Sequence, residues 1–442
     1  NSRLAYYLVR YIFAGFFIQK MGLLGIFRKK AFPVDFLLFS GGRNLHFNNR
    51  IYTLLKQNPS MSHMTISSQN MYEDEWLLQN SDIDFSRIDS FEDDETKSLI
   101  VSETRRVSKE IGNIFSNASI TKNLFPKKFP ETLRKALLFK MRLTVEVYTP
   151  KFIRQIILAE KILNICKPKL VITTHDPGPS ALPFVYGAKK RRIPTVLLLH
   201  GYHDVNFGAT HESDSIAVWG DLLKSQFVHE LGKKSSSVRP LGYPFLDTLF
   251  QNKKAFWQRE YRFRKPKSLS LLLTVYQLDE AAISQFILDI FQKLFEQVSE
   301  PVVVRIRTHP GQPIEGVEKI AKHYGISVEI NKPMTIEEFV EASDVIVCWD
   351  TSAILWAMLS GKPIFYTTPW WGEGYIPAKK YHAAWIPKNA KSLVDTFLTI
   401  QKNPHLVKNL HDGQKKMLEG VLGVLDGTSS EKHISYIKKL LS

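Results

Sequence analysis

Cysteine is scarce in this chain: 442 residues contain two, Cys166 and Cys348, far apart and both in apolar surroundings. That excludes a disulfide scaffold and predicts buried thiols in a reducing, cytoplasmic compartment. No group of cysteines and histidines has zinc-ligand spacing, so no metal site is expected. No uncharged apolar run reaches the roughly 20 residues that a spanning helix needs. The Gly-x-Gly-x-x-Gly pattern of dinucleotide-binding turns is missing, which argues against a nicotinamide enzyme. Internal repeats and low-complexity tracts are missing too.

Acid is also in short supply. Against 59 Lys and Arg stand 43 Asp and Glu, a formal net charge of +16, while 44% of residues are hydrophobic. The composition is that of a large folded basic protein of two or three domains. Such an excess suits nucleic acid, an anionic membrane or an acidic substrate, and its distribution decides among them. Residues 1–30 hold Arg3, Arg10, Lys20, Arg28, Lys29 and Lys30 and no acid, around the apolar run 11–18. This predicts an interfacial helix with a basic rim, docked on the inner face of the cytoplasmic membrane. A helix packed on the protein's own core is the plainer alternative. A cleavable leader is disfavoured, because no small-residue site follows the run. Residues 251–267 form a second basic stretch, with one acid, Glu260, and read as a linker. With the charge gathered at these two places rather than on one continuous face, no nucleic-acid partner is expected.

From residue 31 short apolar runs ended by Gly, Ser or Asn alternate with helical stretches, the pattern of βαβ units and parallel sheets. Strands are predicted at 34–39, 170–174, 195–199, 215–219, 269–274, 302–307, 327–330, 344–348 and 363–366, with helices near 147–166 and 279–297. The ten acids of residues 73–95 read as solvated surface or loop. A closing helix over 431–442 has Ser429 and Ser430 as candidate N-caps. Several strands end in turns that carry chemistry: Gly41-Gly42 after the first, His175-Asp176 after the second, His200-Gly201 after the third. Ligands bind at such carboxyl ends in open α/β sheets.

Taken in order, Leu199-His200-Gly201, the Gly242-Tyr243-Pro244-x-x-Asp247 turn, Arg307-Thr308-His309-Pro310, and Ala342-Ser343-Asp344 through Asp350-Thr351-Ser352 with Gly361-Lys362-Pro363 form a constellation. It resembles glycosyltransferases of the GT-B architecture. The likeness leans toward the CDP-glycerol glycerophosphotransferases of teichoic-acid synthesis and polysialyltransferase-like capsule enzymes, with non-hydrolysing UDP-N-acetylglucosamine 2-epimerases more distant. The resemblance implies an α/β chain with two Rossmann-like domains facing a central cleft. The corresponding division is a membrane-associating segment 1–30, an acceptor domain 31–250, a linker 251–267, a donor domain 268–428 and a closing helix 429–442. The implied substrates are a CMP-, CDP- or UDP-linked sugar, with no separate cofactor, and a glycan or lipid-linked acceptor at the cell envelope.

Displacing a nucleotide phosphate without a metal requires donor groups where negative charge develops. By resemblance Asp350, Thr351 and Ser352 form the donor phosphate site, joined by His309 and Arg307; Gly41 and Gly42 are added as phosphate-binding candidates from their place at a strand's carboxyl end. Capping of the helix that follows is the plainer role for Asp350 or Thr351. His200 is the candidate general base, since a neutral imidazole accepts a hydroxyl proton near neutral pH. Asp176, alone or paired with His175, is its rival, and His203 stands three residues beyond. Cys348-Trp349-Asp350 departs from the teichoic family's usual Thr-Asp-Tyr run while keeping the acid and the following hydroxyls. Trp371, Tyr375 and Glu373 belong to an aromatic, glycine-containing loop that either contacts sugar or pins the loop to the domain. No paired-glutamate donor motif spans Glu373, and Asp-x-Asp occurs only as Asp82-Ile83-Asp84. These absences favour metal-independent inversion. A nucleotide-sugar epimerase of the same fold and a basic nucleic-acid-binding protein are the two alternatives.

Overall fold

The computed structural model describes residues 33–40, 61–67, 85–117, 130–174, 180–199, 201–202, 211–247, 266–273, 280–298, 302–308, 317–330, 334–349, 351–368, 370–374, 376–423 and 425–442. Two wholly parallel sheets organise them. The first contains β1 (Phe36–Ser40), β2 (His63–Ser67), β3 (Phe85–Arg87), β4 (Leu170–Thr173), β5 (Thr195–Leu198), β6 (Ser215–Val218) and β7 (Val238–Pro240), in the order β3-β2-β1-β4-β5-β6-β7. The second contains β8 (Ser268–Leu273), β9 (Val303–Thr308), β10 (Ser327–Ile330), β11 (Val345–Cys348) and β12 (Ile364–Tyr366), in the order β10-β9-β8-β11-β12. Helices cover both faces of such sheets, which is why strands such as β1, β4 and β11 are unbroken apolar runs rather than alternating ones.

The helices are α1 (Asp94–Ser116), α2 (Glu131–Cys166), α3 (Leu182–Lys190), α4 (Asp221–His229), α5 (Glu280–Gln297), α6 (Val317–His323), α7 (Ile336–Glu341), α8 (Ile354–Leu359), α9 (Ala390–Lys402), α10 (Lys408–Leu422) and α11 (Ser429–Leu441). The sequence locates the second half of α2 and misses the first, for two reasons. Residues 131–146 scatter apolar side chains around the helix, and Pro150 lies inside it, where proline ordinarily reads as a breaker.

The acidic stretch was read as solvated surface or loop; at its described end Asp94 and Glu95 are exposed, as read, but they open a helix, and Glu92 and Asp93 are tied into the structure. Asp93 caps α1 by accepting the Thr96 N–H at 3.1 Å and pairs at 2.7 Å with Lys161, whose side chain is 1% exposed. The Lys161 ammonium holds the Asp93 carboxyl well below the usual range. Glu92 likewise pairs with Arg154 of α2.

One device recurs at the amino-terminal ends of the strands. Asp344 accepts the Ser268 N–H at 2.9 Å and its hydroxyl at 3.0 Å, and its own N–H returns to the Ser268 hydroxyl at 3.0 Å. Asp214 makes the same reciprocal set with Thr195, and Asp35 with Ser62. Each clamp fixes the register between the starts of neighbouring strands, at the edge opposite the one where turns carry the candidate site residues.

The two sheet units share a core. One continuous apolar cluster runs from Leu197 and Trp219 through Met417, Leu418 and Val421 of α10 to Met358 and Tyr366. Close approach is built into it: a Cβ on Gly220 would stand 2.6 Å from the Gly420 carbonyl oxygen. After α10 the chain returns to the first unit, where Ile434 and Ile437 of α11 pack with Phe36, Leu38 and Leu170. The expected serine caps of this helix are not used. Asp247 supplies the cap instead, accepting the N–H groups of Ser429 at 3.1 Å and Ser430 at 2.6 Å.

Candidate active site

In each sheet the strand order reverses once at the middle: between β1 and β4 in the first, and between β8 and β11 in the second. Crevices form at the carboxyl ends of strands at such reversals, because the connections depart to opposite faces. In the first sheet Phe39, Thr173 and Leu197 lie level with one another; in the second Arg307, Leu272, Cys348 and Tyr366 do. Gly41, Gly42, His175, Asp176, His200, His203, His309, Asp350 and Tyr375 lie outside the described residues. The strands that precede them in the chain are β1, β4, β5, β9, β11 and β12.

Thr351 and Ser352, both half-buried, are described. The Thr351 hydroxyl oxygen accepts the Ala353 N–H at 3.3 Å, and the Thr351 and Ser352 carbonyls receive the Ile354 and Leu355 N–H groups at 3.2 and 3.1 Å. Thr351 thereby braces the turn that leads into α8, whose N-cap is Ala353 with no side-chain cap bond. Trp349, just before them, is fully buried and meets Phe286 edge-on at 4.9 Å. The departure from the teichoic pattern at this position is thus a core-packing residue.

Arg307 is half-buried at the end of β9. Its Nη1 donates to the Met334 carbonyl and, at 3.4 Å, to that of Thr335, strapping β9 to the start of α7. Burial lowers its pKa, opposed by Glu337 and Glu338. Arg305, two residues earlier, pairs with Glu329 at 2.9 Å.

The aromatic loop after β12 divides into an inner and an outer ring. Trp371 adopts the left-handed backbone region (φ 59°) and stacks on Phe286 at 4.5 Å, pinning the loop to the core. Trp370 is 73% exposed. The turn is closed by the Thr368 N–H donating to the Gly372 carbonyl and the Trp371 N–H to the Thr368 carbonyl, each at 3.1 Å. Glu373 is exposed on the same loop. Sequence reasoning named Trp371 as either a sugar contact or a pin for the loop, and its packing on Phe286 matches the second. Adjacent tryptophans have the same composition signal, and only packing tells which is inside.

Several motif residues turn out to be scaffold. Lys362 is half-buried and donates to the Ser343 carbonyl at 2.6 Å and that of Glu341 at 3.1 Å; burial lowers its pKa. The Ser343 hydroxyl donates to the Phe339 carbonyl at 2.6 Å, and Asp344 forms the strand clamp. The Gly242–Asp247 turn serves α11: Gly242 has φ 87°, and a Cβ there would fall 2.2 Å from the Ser429 hydroxyl oxygen. Among the described residues, no group of three or more His, Cys, Asp and Glu is arranged to hold a metal, and no helix is long and apolar enough to cross a membrane.

No protein-family model matches the chain, and no curated protein does. Solved structures do match it in fold. The S. aureus MnaA–UDP co-structure superposes with a TM-score of 0.55 at 14% identity, covering 92% of this chain and 97% of that one. UDP-GlcNAc 2-epimerase from Neisseria meningitidis bound to UDP-GlcNAc gives 0.55 at 13%, covering 91% and 99%. Acinetobacter baumannii MurG gives 0.53 at 12%, covering 92% and 100%. The chain has the GT-B fold common to these structures, two parallel-sheet α/β units carried over nearly the full length of each.

Proposed function

We propose that this chain is a metal-independent glycosyltransferase that moves a sugar, or a sugar-like polyol phosphate, from a nucleotide-activated donor to a hydroxyl of a cell-envelope glycan or lipid-linked acceptor. The observation that carries the reading is the hydroxyl-rich turn at Thr351-Ser352. It leaves β11, one of the two strands flanking the order reversal of the second sheet, within a fold shared with structures holding UDP and UDP-GlcNAc. In this reading the turn, with His309, binds the donor phosphates. The acceptor oxygen attacks the anomeric carbon of a sugar, or the phosphorus of a polyol phosphate, as the bond from that atom to the oxygen of the departing nucleotide phosphate breaks. The acceptor proton passes to His200 or to Asp176, and the nucleotide leaves carrying the bonding electron pair. Arg307 acts from behind, holding the start of α7 in place.

A second reading, a nucleotide-sugar epimerase, is supported by the coverage of epimerase structures over more than nine-tenths of the chain. One experiment separates the two. The protein is screened for thermal stabilisation by CMP, CDP, UDP and GDP and their sugar conjugates, and the stabilising conjugate is then followed by NMR with and without envelope glycan or lipid-linked acceptors. Acceptor-dependent nucleotide release supports transfer. Acceptor-independent appearance of an epimer or a free sugar supports the alternative. Stabilisation by none of the nucleotides defeats both.

A further inference from the structure

The first half of α2 carries most of the exposed large apolar side chains of the described residues. Phe139, Leu143 and Val147 are 70%, 51% and 54% exposed; Leu133 and Tyr148 are exposed as well, outside the line these three form. At about 100° per residue, positions spaced by four form one slowly drifting stripe along the helix. The opposite side is already covered: Met141 and Val145 pack with Val107, Ile111 and Phe115 of α1. Exposed Lys140 and Lys151 border the stripe on one side, Lys135 and Arg142 on the other. Over residues 131–151 five basic residues face two acidic ones, Glu131 and Glu146. Both acids are already paired, with Lys135 at 2.8 Å and Arg142 at 2.7 Å. Lys140 and Lys151 have no ion-pair partner among the described residues.

We infer that this stripe is a docking surface for an anionic lipid bilayer. Phe139, Leu143 and Val147 enter the headgroup boundary, while the bordering lysines, with long stems and charged ends, meet lipid phosphates. The charge chooses lipid over a second copy of the chain, since two such helices would oppose like charge along their length. The inference stands apart from the nucleotide reading and from residues 1–30.

The test uses the full chain with vesicles of phosphatidylcholine alone or mixed with phosphatidylglycerol. Co-sedimentation is expected only with the anionic vesicles. It should fall by about tenfold or more in the triple variant F139S/L143S/V147S and in K140E/K151E. Unchanged co-sedimentation in both would overturn the inference. A direct readout comes from Phe139→Cys carrying an environment-sensitive dye, selective because Cys166 and Cys348 are buried. A blue shift with anionic vesicles is expected; no shift overturns the docking surface. A shift that follows protein concentration without lipid, with dimer in gel filtration, overturns it in favour of self-association. Nucleotide-induced thermal stabilisation, where present in the parent, is expected to persist in the variants.

Discussion

Asp247 accepts the backbone N–H of Ser429 at 3.1 Å, across 182 residues of sequence, and so caps the helix that returns the end of the chain to the first unit. A helix start leaves N–H groups unpaired, and a carboxylate satisfies them while matching the positive end of the helix. Asp247→Ala should cost about 1–2 kcal/mol. Asp247→Asn should cost less, because the amide oxygen still accepts. Urea denaturation gives the magnitude, and hydrogen exchange should localise the loss to α11. Uniform exchange behaviour in Asp247→Ala would remove the capping role.

The Asp344–Ser268 clamp lies at the edge away from the candidate site. Asp344→Ala should therefore lower stability by about 1–2 kcal/mol, reflecting lost hydrogen bonds to the start of β8, with nucleotide affinity unchanged. A large affinity loss at intact stability would place Asp344 in the binding machinery instead.

His433 is buried beside the capped end of α11, its Nδ1–H donating to the Ser429 carbonyl at 2.8 Å. Burial pulls its pKa down to about 4 from an ordinary value near 6.5, against the attraction of Asp247. Burial lowers that of His411 too. A depressed histidine pKa means that the unfolded chain binds protons the folded one refuses. Its contribution is thus fully present above about pH 6.5 and is lost as pH falls toward 4, by at most ~3 kcal/mol for His433. His433→Gln should flatten this part of the stability–pH curve measured by urea titration; an unchanged slope would contradict it.

The two tryptophans should separate stability from recognition. Trp371→Ala removes the stack on Phe286 and should lower stability by about 2–3 kcal/mol. Trp370→Ala should leave the melting temperature nearly unchanged while raising KM for a glycan acceptor severalfold, through loss of an exposed stacking face. Equal melting temperatures for both variants would refute the inner and outer assignment.

On the donor side, Ser352→Ala and His309→Ala should each weaken nucleotide binding about tenfold, near 1.4 kcal/mol. Calorimetry on the stabilising nucleotide checks this. Unchanged affinity in both variants would remove them from the donor site.

Nine of the twelve described strands were legible, most of them because parallel strands buried on both faces are continuous apolar runs: 170–174 and 195–199 are read within one residue of the observed bounds. The edge strand 327–330 is read with its observed bounds, whereas β2, β3 and β7, short and carrying polar residues, were not read. The GT-B architecture was an implication of the resemblance that the ordered motifs carry, and the fold bears it out. The first half of α2 was not legible, since its apolar residues serve both α1 and the outer face and blur the helical period. Nor could motif order separate ligand-facing from scaffold residues. Asp247, Asp344 and Lys362 are polar groups at fixed spacings, and what they bond is brought near only by chain return.

The sequence by itself determined two parallel α/β units, the turns that follow their strands, and a basic excess gathered in short stretches, because these depend on local pattern and composition. Tertiary structure alone decided that Trp371 is inside and Trp370 outside, that Asp247 caps the last helix, and that the exposed stripe of α2 is free of α1. Those outcomes depend on which surfaces meet, and burial is a property of the packed chain rather than of any segment within it.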